Sequence, residues 1–152
     1  GLAGPEASAV MSGEMVGMKI KRVEHIAIAV HDMAASMAML ERTLGLELDY
    51  EETIGSTRLA MFPVGETSLE LLQADSPDSP VADWIAERGQ SLFHLCFEVD
   101  DIDAALEELR AKGVKLRNET PQPGHGGSRI AFIDPASTGN ILIELAEMPE
   151  GH

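Results

Sequence analysis

Two histidines and two glutamates in this chain have the types and the placement to hold a divalent metal: His25, Glu70, His94 and Glu144. His25 opens the strand-like run His25-Ile-Ala-Ile-Ala-Val30, and His94 opens the similarly patterned run His94-Leu-Cys-Phe-Glu-Val99, 69 residues further on. Side chains alternate between the two faces of a strand. Ile26, Ile28 and Val30 therefore share one face and leave His25, Ala27 and Ala29 on the other. In the later run Leu95, Phe97 and Val99 oppose His94, Cys96 and Glu98. Glu70 likewise lies opposite Leu69 and Leu71, and Glu144 opposite Ile141, Ile143 and Leu145. Imidazole suits Zn, Fe or Ni and carboxylate admits the harder Mn or Co, so this set fits one divalent cation with positions left for water or substrate. Either histidine alone reads as a hydrogen-bonded strand residue, and either glutamate as a solvated one. Their recurrence at equivalent places carries the metal reading. Ala27 and Ala29, small beside His25, predict a cavity rather than a packed interior.

The elements that must position these residues repeat as well. Met33, Met37 and Leu40 correspond to Ile102, Leu106 and Leu109, each set forming the i, i+4, i+7 face of a helix. Asp32 and Asp101 precede the two helices as N-caps, and Gly45 and Gly113 follow them as stops. Strands are expected at Glu47–Thr53, Thr57–Pro63 and Thr67–Gln73, then at Lys115–Glu119, Arg129–Ile133 and Asn140–Ala146, with turns at Gly55-Ser56 and Gly65-Glu66. The architecture is α+β: two βαβββ modules, residues 18–75 and 91–148, joined by a helix over about residues 79–88, within one domain spanning 18–152. Residues 1–17, rich in Gly, Ala and Met, are expected to be a disordered tail or one added ahead of a natural start at Met11 or Met18.

Composition narrows the function. The chain has 152 residues and a formal charge of -15, which argues against a nucleic-acid backbone or an anionic membrane as partner. No run of 18 apolar residues or secretory leader is present, so a cytoplasmic protein is expected. The single cysteine, Cys96, excludes an internal disulfide and reads as core filler. Trp84, Met61 and Phe62 read as core, His31 as a turn residue, and the acidic run from Glu98 to Asp103 as a helix start with a solvated face. The loop Pro121-Gln-Pro-Gly-His-Gly-Gly-Ser128 is the other candidate functional element. Its glycines can turn backbone amides toward an anion, and His125 within it is expected at the surface.

These residues resemble the vicinal oxygen chelate superfamily, and within it the methylmalonyl-CoA epimerase family, over Lys19 to Glu147. The matching stretches include Glu24-His-Ile-Ala-Ile-Ala-Val30, Leu69-Glu-Leu-Leu72, Ser76-Pro-Asp-Ser-Pro-Val-Ala82, Glu87-Arg-Gly89, His94-Leu-Cys-Phe-Glu-Val99, Gly126-Gly127 and Ser137-Thr-Gly-Asn-Ile-Leu-Ile-Glu-Leu145. The resemblance implies paired βαβββ modules around one divalent metal per chain (Co, Mn, Ni or Zn), with His25, Glu70, His94 and Glu144 on the ligand positions. It also implies a homodimer and an acyl-CoA thioester substrate, epimerised through a metal-stabilised enolate with Glu144 as first and Glu70 as second proton-transfer group. Arg58, Arg129 and the Gly126-Gly127-Ser128 amides are the expected donors to the CoA phosphates. The chain departs from the family at Thr53-Ile-Gly-Ser-Thr57, where epimerases carry a Glu-Gln-Gly-Val-like segment. It departs again at Arg58-Leu-Ala-Met61, where some members place an extra acid, at Phe93, where the family pairs two histidines, and at Asp134. The rival readings are a lactoylglutathione lyase with the same ligands and a metal-free small-molecule binding protein of the same fold. A dioxygenase is disfavoured, since a second Glu would fill positions its iron needs open.

Overall fold

In the computed structural model, which describes residues 17–151, the elements follow in the order β1 (Ile20–Ala29), α1 (Met33–Leu44), β2 (Tyr50–Ile54), β3 (Thr57–Val64), β4 (Thr67–Ala74), α2 (Pro80–Arg88), β5 (Ser91–Val99), α3 (Ile102–Ala111), β6 (Gln122–Pro123), β7 (Arg129–Ile133) and β8 (Ile143–Glu147). Apart from Gly17, the expectation for residues 1–17 lies outside the described residues. The eight strands form one curled sheet in the order β2-β3-β4-β1-β5-β8-β7-β6. β1 pairs in parallel with β4, and β5 with β8, so each βαβββ module contributes half of the sheet. The modules meet at the antiparallel seam between β1 and β5.

Local chemistry explains the helix boundaries. The Asp32 carboxylate accepts a bond from the Ala35 amide (3.1 Å), and Asp101 accepts one from Ala104 (3.0 Å), satisfying donors that the first turn leaves open. α1 ends at Gly45, whose φ of 70° a side chain would resist. Met33 and Leu40 of α1 pack with Phe62 and Leu71 on one side of the sheet. Ile102, Leu106 and Leu109 of α3 pack with Val99, Ala131 and Leu145 in the same manner. Each such burial contributes roughly 1.5–3 kcal/mol, which anchors both helices to one face and leaves the other for the site.

Four expectations need correction. No strand forms over Lys115–Glu119: Leu116 makes an isolated bridge to Ile133, flanked by backbone bonds from Arg117 to Phe132 (2.8 Å) and from Asp134 to Lys115 (3.0 Å), and the pairing stops where the Asn118 carboxamide accepts the Phe132 amide (2.8 Å). The last strand starts at Ile143, not Asn140, because Asn140 stands at φ 69° and ends a turn. β2 begins at Tyr50, three residues later than expected. Ala27 and Ala29 do not border an open space. Both are fully buried and packed with Leu59, Met61, Leu72 and Val81. Met61 and Phe62 are core as expected, whereas Trp84 is only half-buried.

Candidate metal centre

Sheet register brings the four sequence-selected residues together. On the face away from α1 and α3, Ala27 pairs with Glu70 on one side and His94 on the other, while Cys96 pairs with His25 on one side and Glu144 on the other. The small Ala27 lets the side chains of Glu70 and His94 lean toward the same point. His25 Nε2 lies 3.1 Å from His94 Nε2, 3.2 Å from Glu70 Oε1 and 2.9 Å from Glu144 Oε1. His94 Nε2 lies 2.9 Å from Glu144 Oε1 and 3.8 Å from Glu70 Oε1. Donors about 2.0–2.2 Å from one cation, at right angles to each other, stand roughly 3 Å apart, so the spacing fits a shared ion. All four residues are buried, and among the described residues Glu144 Oε1, although 2.9 Å from both imidazole nitrogens, makes no well-aligned hydrogen bond. Poorly aligned contacts leave a buried carboxylate oxygen under-satisfied, and a cation between these groups would satisfy it. The described residues thus contain a metal-ligand group in which His25, Glu70 and His94 converge, with Glu144 Oε1 against both imidazoles.

The charges around this point are mutually dependent. Burial opposes ionisation of Glu144, but His94 and His25 outweigh it and hold its carboxyl well below the ordinary range. Burial would lower the His25 imidazole, yet Glu70, with Cys96, Glu144 and Glu24, drives it well above its usual value. Burial first, then the Glu144 charge, pushes the Cys96 thiol up, so Cys96 stays a neutral packing group.

Alternation along the strand missed Glu24. Between Val23 and His25 the register to β5 advances two residues on β1 for one on β5, so Glu24 is a bulge residue and turns to the same face as His25. Its Oε1 holds His25 Nδ1 and accepts from His125 Nε2 at 2.8 Å. His125 Nδ1 in turn meets the Tyr50 hydroxyl. Burial alone would raise the Glu24 carboxyl; the hydrogen bonds from His125 and His25 prevail and hold it at about 2. His125 is 5% exposed, which corrects the expectation that it lies at the surface. The second module has a bulge at the equivalent residue, Phe93, which offers no carboxylate. His94 Nδ1 is accordingly buried without a partner. The two modules support their histidines differently, and only the first fixes its imidazole with an acid. Replacing Glu24 by Gln should therefore weaken divalent-metal affinity about 10- to 100-fold. Competition with a fluorescent chelator measures this, and an unchanged affinity would remove Glu24 from the support of the site.

The glycine loop folds over this centre from the second module to the first. The Gly126 amide donates to Glu52 Oε1 (2.9 Å), and Gly126 at φ 63° has the Tyr50 hydroxyl 2.9 Å from where a Cβ would stand, so only glycine fits there. Ser128 is buried and its hydroxyl has no partner. Gly124 and His125 of the loop join Glu70, His94 and Glu144 in lining a cavity of about 260 Å³. Neither expected arginine reaches it. Arg129 lies in register with Glu147 at the outer end of β7, bound to Asp103 in the first turn of α3 through contacts of 2.8 and 3.1 Å. Arg58 pairs with Glu51 (3.6 Å) and borders α1.

A curled sheet built from two βαβββ modules, with His and Glu donors from both converging on its inner face, defines a vicinal oxygen chelate fold. The chain belongs to the glyoxalase/bleomycin resistance protein/dioxygenase superfamily, whose family model matches residues 24–132. Among its relatives is YqjC of Bacillus subtilis (strain 168), an uncharacterised protein 34% identical over 134 residues, covering 87% of this chain and 95% of that one. The ethylmalonyl-CoA/methylmalonyl-CoA epimerase of Cereibacter sphaeroides is 31% identical over 133 residues, covering 85% and 99% of the two chains. A Streptomyces coelicolor methylmalonyl-CoA epimerase in complex with 2-nitronate-propionyl-CoA superimposes with a TM-score of 0.84 at 32% identity, covering 87% of this chain and 97% of that one. None of the described helices is long and apolar enough to cross a membrane.

Proposed function

We propose that this protein is an isomerase that epimerises a 2-substituted malonyl-CoA thioester, methylmalonyl-CoA above all, by removing the α-proton and returning it to the opposite face. The observation that carries the reading is the convergence of His25, Glu70, His94 and Glu144 on one point, the last three lining a small cavity, in a chain akin to epimerases over most of its length. A divalent cation held by these four residues would supply a Lewis acid for the oxygen that gains charge as the enolate forms. The residues themselves carry the protons. Glu144, ionised and buried at the cavity wall, takes the α-proton as general base in this reading. Glu70 comes from the other module and lines the same cavity, and in this reading it returns a proton to the other face. Over Arg58-Leu-Ala-Met61, where the resemblance leads one to expect a further acid, this chain has none, and the Glu52 carboxylate on the facing strand is spent on the Gly126 amide. The amides of Gly126 and Ser128 are spent on Glu52 and on the His125 carbonyl (2.9 and 3.1 Å), so the substrate carboxylate must find its donors elsewhere in the cavity.

Solvent-deuterium exchange tests the reading. The metal-loaded protein should incorporate deuterium at the α-carbon of methylmalonyl-CoA and convert the methylglyoxal–glutathione hemithioacetal far more slowly or not at all. Rapid formation of lactoylglutathione with an inert CoA ester would instead establish the lyase. Equal inertness toward both, with tight ligand binding, would establish a binding protein.

A further inference from the structure

A cavity of about 260 Å³ holds an acyl head and little else, since sites for drug-sized ligands run to about 300–1,000 Å³. If the proposed function holds, the remainder of the thioester must leave through a wall of that cavity. Pro80 and Phe93, which line it, also line a neighbouring hollow of about 480 Å³, bounded further out by Trp84, Arg88, Arg117 and Asn140. Helix α2 connects the two: Pro80 and Val81 in its first turn face the cavity, and Trp84 and Arg88 face the hollow. From Pro80 to Arg88 is roughly 12 Å along the helix axis at 1.5 Å per residue.

The hollow brings together two arginines that no carboxylate neutralises; Lys19, Arg42 and Lys115, which also form no ion pair among the described residues, line no part of it. Lys21, Arg22, Arg58, Arg110, Lys112 and Arg129 are each ion-paired to a carboxylate. Among the described residues, Arg88 and Arg117 form no ion pair, although Asp83 and Glu87 border the same hollow. The Arg88 guanidinium lies 3.8 Å over the Trp84 ring, and the Trp84 indole N–H is fixed by Ser91 Oγ at 2.9 Å. A guanidinium stacked on an indole keeps its N–H edge open to fork onto phosphate oxygens. Asn140, held at φ 69°, brings a carboxamide to the same rim. Arg58 and Arg129, by contrast, are spent on Glu51 and Asp103.

We infer that the hollow formed by Trp84, Arg88, Arg117 and Asn140 binds the phosphate-bearing nucleotide end of the CoA thioester, with the pantetheine arm passing between Pro80 and Phe93. The inference rests on the proposed substrate class but is testable without turnover. Trp84 is the chain's single tryptophan, so its emission reports on the hollow. The full chain is titrated with CoA and separately with pantetheine, before and after metal chelation, with calorimetry as a second readout. CoA should give a saturable change that survives chelation, and pantetheine should give none. Arg88→Ala and Arg117→Ala should each weaken CoA binding about tenfold, equivalent to about 1.4 kcal/mol. Arg88→Lys should recover part of the loss, and Lys112→Ala, whose ammonium pairs with Glu108 on α3, should bind as wild type. No saturable response, equal affinity for CoA and pantetheine, or wild-type binding by both arginine variants would overturn the inference. CoA binding without any α-proton exchange would support the hollow and sink the proposed activity. Exchange whose KM ignores both arginines would sink the hollow and leave the activity standing.

Discussion

Glu144→Gln should lower α-proton exchange about 10²- to 10⁴-fold while leaving the fold intact, the loss expected when a general base is removed. Glutamine keeps the size of the side chain and one carbonyl oxygen but cannot accept the substrate proton. The native carboxylate is well suited to the task, being ionised and buried, with Oε1 2.9 Å from both imidazole nitrogens. It is also one of the four proposed metal ligands, so the variant should bind the cation less tightly. Measurements at saturating metal separate the two effects, because restored occupancy cannot restore a missing base. Near-ultraviolet circular dichroism of the variant should match that of the parent. Exchange at the parent rate under those conditions would transfer the role to Glu70, whose Gln variant would then show the loss.

Loading with a divalent cation should raise the melting temperature by roughly 5–11 °C when free metal stands at about one hundred times its dissociation constant. Selective binding to the native state at that concentration contributes about 2.7 kcal/mol. For a chain of this size each kcal/mol moves the midpoint by about 2–4 °C. His25→Ala and His94→Ala should each abolish the shift, since each removes one of the two nitrogens 3.1 Å apart. The affinity should fall as pH falls. The His25 imidazole is pushed toward its protonated form by Glu70 and its other neighbours against the effect of burial, and that proton must leave before the nitrogen can bind a cation. Elemental analysis giving no metal after preparation without chelator, together with an unmoved midpoint on adding Co, Mn, Ni or Zn, would sink the site.

The two-module plan and the four convergent residues were legible in the amino-acid sequence because both rest on periodicity. Alternation along β1, β5 and their equivalents puts His25, Glu70, His94 and Glu144 on one face. The repeated helix pattern puts α1 and α3 on the other, and the caps at Asp32 and Asp101 mark where each helix begins. What periodicity cannot carry is a break in itself. The bulges at Glu24 and Phe93 change which face a residue points to, and a bulge is decided by pairing with a distant strand. The acid that holds His25 was therefore invisible to alternation, as was the absence of one behind His94. Tertiary structure alone also decided the fate of His125. Its loop looks like a surface connection by composition, but folding draws it across to Tyr50 and Glu24 of the first module, where burial is compensated by two hydrogen bonds. The same holds for the cations. Arg58, Arg88, Arg117 and Arg129 are alike as letters, and only their neighbours in space determine which are neutralised by a carboxylate and which remain open to a ligand.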